Sequence, residues 1–125
     1  MDKAYKNIEM ERMIDTLKKY LDRTDMIGYA AARNTRLLTT EAQEYLDRRE
    51  ELVRKYGKPE TDENGNDTGR VKLSIHSPEF ADYEKEITEW ALIEHTPKIY
   101  KISAKEVIGK LSGTEILAID WMLEE

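Results

Sequence analysis

The chain has 125 residues, 37% charged and 39% apolar, and a net charge of −6. That is one domain's length with a modest core, and the lack of cysteine excludes disulfides, thiolate metal sites and a cysteine nucleophile. Residues 1–56 hold 12 Lys/Arg against 11 Asp/Glu, and residues 57–125 hold 8 against 15. A protein that grips a phosphate backbone needs a basic surface, so charge argues against nucleic acid as a partner. The opening "MDKAYKNIEM" has no apolar signal region and no stretch approaches a membrane span. The expectation is a cytoplasmic protein with no membrane partner.

Residues 5–21 predict an amphipathic helix, with Met10, Met13, Ile14, Leu17, Tyr20 and Leu21 at helical spacing. "DRTD" (22–25) breaks it, and Thr24 or Asp25 is placed to cap the next helix. That second helix is predicted from about residue 25 to Tyr56, along a stripe of Ile27, Ala31, Leu38, Ala42, Tyr45, Leu52 and Tyr56. At about 1.5 Å per residue it would span roughly 45 Å. The first helix would cover half of it, as the antiparallel arm of a hairpin.

Gly57 and Pro59 form a stop signal. "KPETDENGNDTGR" (58–70) reads as a polar loop holding a hairpin-type turn at "ENGN", and "VKLSI" (71–75) as a half-buried strand. Ser77 and Pro78 predict the start of a helix with Phe80, Tyr83, Ile87, Trp90 and Ala91 inside and an acidic outer face. Residues 92–103 read as extended. Capping boxes are expected at Ser103/Glu106 and Ser112/Glu115, opening two short helices. The last of these is apolar nearly all round, and such a helix must be buried on several sides. Ile116, Ile119 and Leu123 are expected in the core.

The predicted fold class is α+β, mainly α, in a single domain 1–125. It comprises a long antiparallel helical hairpin (1–56), a small antiparallel β-sheet of two or three strands with one helix (57–103), and short C-terminal helices (104–125).

Chemistry is sparse. Counted from Asp62, the loop fails the EF-hand pattern, with Asp67 at the sixth position and Leu73 at the twelfth. His76 and His95 lie in no zinc-type spacing. There is no G-x-S-x-G, phosphate loop or dinucleotide fingerprint. No catalytic residue, cofactor or metal is assigned, and the expectation is not an enzyme. Two features stand apart. In "GYAAARNTR" (28–36), small alanines allow close helix approach, Asn34 falls on the apolar stripe, where a polar residue fixes register or oligomer state, and Arg33 and Arg36 suit a carboxylate or phosphate. Asp120 stands alone in an apolar helix, and a buried carboxylate needs a partner; a buried Arg33–Asp120 pair is the expectation.

"GYAAARNTRLL", "EYLDRREELVRKYGKPETDENG" and "LSGTEILAIDWMLEE" resemble a family of small phage and prophage proteins of unknown function. Its Y-x-x-A-R-N, KYG, DENG and E-I-x-x-I-D-W-M-like motifs match Tyr29, Arg33, Asn34, Lys55, Tyr56, Gly57, Asn64, Gly65, Glu115, Ile119, Asp120, Trp121 and Met122. Ala30–Ala32 is smaller than the apolar residue expected there. The resemblance implies origin and carries over no catalytic residues. Phage genes of this size encode assembly accessories or inhibitors of host machinery and defence, which act by binding.

The leading expectation is therefore a non-catalytic phage accessory protein in the host cytoplasm, binding a protein partner, itself or a host or phage protein, as a homo-oligomer. One alternative is an anti-defence protein that inhibits an immune effector or sequesters a signalling nucleotide. Another is a minor virion or tail assembly component. The candidate binding or interface residues are Tyr29, Arg33, Asn34, Arg36, Tyr100, Trp121 and Met122.

Overall fold

The computed structural model describes residues 3–125, Asp67 by its backbone alone. The elements are β1 (Tyr5–Lys6), α1 (Asn7–Leu17), α2 (Met26–Glu41), α3 (Gln43–Tyr56), β2 (Lys58–Thr61), β3 (Asp67–Lys72), α4 (Phe80–Ala91), β4 (Glu94–His95), β5 (Ile102–Ser103), α5 (Gly113–Ala118) and β6 (Leu123–Glu124). Turns of 3₁₀ helix lie at Lys18–Tyr20, Ala104–Glu106 and Asp120–Met122. The fold is α+β and mainly α. The chain forms two compact units: the described residues up to Ala42 with Glu94–Glu125, and Gln43–Ile93. The second unit is inserted into the first.

In the discontinuous unit, α1 and α2 pack together. Met10, Met13 and Leu17 from α1 and Tyr20 from the following turn are buried with Ile27, Ala30, Ala31 and Leu38 of α2. The small alanines suit close approach of the two helices. Asp25 caps α2 by accepting from the Gly28 N–H at 3.3 Å, and its carboxylate takes the Arg23 guanidinium at 2.6 Å. The chain passes so close here that a Cβ on Gly28 would lie 2.0 Å from the Arg23 carbonyl oxygen. β1 pairs antiparallel with β4, Tyr5 facing His95. β5 pairs parallel with β6, Ile102 facing Leu123. Ile102, Val107, Ile119 and Met122 complete this core.

In the inserted unit, β2 and β3 form an antiparallel hairpin with Lys58 facing Lys72 and an irregularity between Pro59 and Thr61. The Asp62 carboxylate closes its tip by accepting from the Asn64 and Asn66 N–H groups, both at 2.9 Å. Gly65 supplies the left-handed turn residue, φ +80°. α3 packs on α4. The Tyr56 hydroxyl donates to the Glu86 carboxylate, with Lys55 Nζ 3.4 Å from it. These donors hold Glu86 below the usual carboxylate range. Tyr45, Leu52 and Ile87 are buried; of the inner face expected for α4, Ile87 is buried and Phe80, Tyr83, Trp90 and Ala91 are half-buried.

Several expectations change. The helix predicted over 25–56 is two helices, broken at Ala42, where ψ is 6° and the helical ladder ends. The apolar stripe runs through without a proline or glycine, so no local signal marks the break. The strand lies at Asp67–Lys72 rather than 71–75, because it pairs with β2 inside the segment read as loop; Ile75 is exposed. Among the described residues, two of the three ladders are antiparallel and the third is parallel.

The closing helix is not buried on several sides. α5 has six residues, stopped where Ile119 adopts φ −118° and ψ 17°. Leu117 is 77% exposed while Ile119 and Met122 are fully buried. Ile116 and Leu123 are half-buried. The Ser112/Glu115 capping box forms, but Ser103 accepts from the Lys105 N–H instead of pairing with Glu106.

Candidate functional site

α2 carries two stripes. Ile27, Ala30, Ala31, Asn34 and Leu38 face the core. Tyr29, Ala32, Arg33, Arg36, Leu37 and Thr40 recur every three or four residues on the other side and line an open groove of about 590 Å³. Tyr29 is 50% exposed; Ala32, Arg33, Arg36 and Thr40 are exposed as well.

Asn34 joins the buried stripe to the outer surface. It is fully buried, and its side-chain amide pairs with the backbone of Tyr100 as a neighbouring strand would. Nδ2 donates to the Tyr100 carbonyl at 2.9 Å, and Oδ1 accepts from the Tyr100 N–H at 2.8 Å. Nδ2 also lies 3.5 Å from Met122 Sδ. A polar residue on an apolar stripe is thus satisfied within the chain, and its register role is to fix the irregular segment before β5 against α2.

That clamp sets the Tyr100 ring beside α2. Tyr29 and Tyr100 meet edge to face, centroids 5.5 Å apart and planes at 82°. The Arg33 guanidinium lies 4.6 Å from the Tyr100 centroid and 5.9 Å from that of Tyr29, within cation–π range. Arg33 Nη1 donates to the Tyr29 hydroxyl at 3.2 Å, which raises the guanidinium's already high pKa and keeps its charge fixed. Among the described residues, Arg36 has no carboxylate partner. The arrangement is a pair of packed aromatic rings, a guanidinium over them, and a second guanidinium one turn along.

The structure thus brings Tyr29, Arg33, Arg36 and Tyr100 to one surface, with Asn34 beneath. It does not bring Asp120 there. Asp120 is exposed, and Arg33 is engaged by the two tyrosines, so the expected buried Arg33–Asp120 pair is not formed. The reason is the early end of α5, which leaves Asp120 in a 3₁₀ turn facing outward. Met122 is a core residue rather than an interface residue. Trp121 is half-buried, and its indole N–H donates to the Ala118 carbonyl at 3.2 Å. With Lys3, Tyr5, Pro97, Ile99, Lys101 and Asp120 it lines a second groove of about 320 Å³.

Sequence reasoning missed Ala32, Leu37 and Thr40. The signal was present as a second stripe in register with Tyr29, Arg33 and Arg36. No helix among the described residues is long and apolar enough to cross a membrane. No protein-family model, curated protein or solved structure matches the chain.

Proposed function

We propose that the chain is a non-catalytic accessory protein that acts by holding a partner protein against the outer face of α2. One observation carries this reading: Tyr29, Arg33 and Tyr100 are locked together at the surface, although such groups gain little from being ordered there. Tyrosine and arginine are the residue types that dominate binding energy when a partner excludes water from them, and ordering them beforehand lowers the entropy cost of association. The resemblance of the sequence motifs to small phage proteins supports an accessory role in the infected cell.

The test is native mass spectrometry of the tagged chain purified from phage-infected cells, beside its Tyr29→Ala/Arg36→Glu variant. The expected result is a discrete complex with a second protein that the variant loses. A bare monomer in both samples would overturn the reading.

A further inference from the structure

The outer face of α2 also says what kind of partner fits, provided that face is the binding surface proposed above. All six described residues that line its groove come from one helix. A small ligand needs walls on several sides, since its pocket buries most of its surface. A single helix face supplies one wall, so the occupant has to bring the other. The stripe from Tyr29 to Thr40 is three turns long, roughly 16 Å at about 1.5 Å per residue. That matches the contact length of a helix laid along it, with anchors at i, i+3, i+4 and i+7.

Charge selects among such occupants. Arg33 meets only tyrosines and Arg36 meets no carboxylate among the described residues, whereas Arg23, Arg48 and Arg54 are each paired with an acidic side chain. Covering two guanidiniums with an apolar or basic surface would leave desolvated charges unpaired. A second copy docking the same face about a two-fold axis would set Arg33 and Arg36 against their own images. Between and beside the arginines lie Tyr29, Ala32 and Leu37, where apolar side chains fit and the small Ala32 allows close approach.

We infer that this face docks an acidic amphipathic helix of a partner protein, its carboxylates on Arg33 and Arg36 and its apolar side chains along Tyr29, Ala32 and Leu37.

The test uses the full chain, isotopically labelled, and two synthetic peptides. One is an amphipathic helix of about 14 residues with leucines flanked by glutamates; the other carries lysine at every glutamate position. The expected result is that the glutamate peptide shifts the amide signals of Tyr29–Thr40, binds at least about tenfold more tightly than the lysine peptide, and weakens with added salt. The exposed substitution Arg36→Glu should cost about tenfold in Kd while leaving helicity unchanged.

Equal binding of both peptides on Tyr29–Thr40 would overturn the acidic assignment and leave the binding face standing. Shifts elsewhere, or none with either peptide, would overturn the assignment and the face together. Stronger shifts of the same amides by ADP or inorganic phosphate would assign the groove to a small anion, and concentration-dependent shifts without peptide would assign it to a second copy. Either result overturns the inference.

Discussion

Asn34 shows how one side chain can serve fold and site together. Its amide replaces a missing strand neighbour for Tyr100, and the placement of Tyr100 creates the platform under Arg33. Asn34→Leu keeps the branched outline of the side chain but leaves the Tyr100 N–H and C=O without their partner, a loss of about 1–3 kcal/mol, readable as a lower urea midpoint. The same variant should broaden the Tyr29 and Tyr100 ring signals, since the ring loses its anchor. A midpoint unchanged from wild type would show that these two hydrogen bonds contribute nothing net.

Asp25 gives a second residue-scale prediction. Its hydrogen-bonded pairing with Arg23, helped by the Gly28 N–H, lowers its pKa from 3.8 to about 2. A carboxylate depressed in the folded state adds stability above its ordinary pKa and loses it as pH falls toward the folded value. The wild type should therefore lose stability between about pH 4 and pH 2 more steeply than Asp25→Asn. Asparagine retains the capping oxygen and removes the titration together with the charge that pairs with Arg23. Parallel urea curves at several pH values would check this, and identical slopes in the two proteins would refute it.

At the scale of elements, the start of α2 is fixed by contact as much as by capping. Gly→Ala inside a helix normally stabilises by about 1 kcal/mol. At Gly28 the added Cβ would meet the Arg23 carbonyl at 2.0 Å, so the sign should reverse, with a loss of about 1–3 kcal/mol. Thermal unfolding decides it: a higher Tm for Gly28→Ala would mean the connection at 21–25 gives way freely.

The same contrast between local and distant causes explains what the sequence showed of the fold and of the site. The α1 stripe, the Asp25 cap, the Ser112/Glu115 box and the turn at Asn64–Gly65 depend on near neighbours, and each can be read from adjacent residues. Asn34, Arg33 and Arg36 stood out as residues out of place, but their roles could not be read, because the partner of Asn34 is a backbone group 66 positions away. The break at Ala42 and the outward turn of Asp120 left no local mark, since the apolar period continues through both. The expected Arg33–Asp120 pair failed for that reason: it assumed a full terminal helix where six residues form one.

Over the whole molecule, the two units differ in what holds them. The buried apolar residues of the inserted unit are Tyr45, Leu52 and Ile87, while the discontinuous unit contains the rest, from Tyr5 to Met122. The two points where the chain leaves and re-enters the discontinuous unit are also close together, because Glu41 Oε2 lies 3.3 Å from His95 Nδ1. Tyr29, Arg33, Arg36, Asn34 and Tyr100 all belong to that unit. Residues 43–93 should therefore be replaceable by a short Gly-Ser linker, since closing a short loop between adjacent ends costs little entropy. The product has roughly 80 residues with its linker, a size at which one core is marginal, so a lower Tm than the full chain is expected, with retained helicity and dispersed amide signals. It should still bind the glutamate peptide with a Kd within about threefold of the full chain. A collapsed spectrum would show that the discontinuous unit needs the insert to fold. A folded product that no longer binds would place part of the docking surface within 43–93.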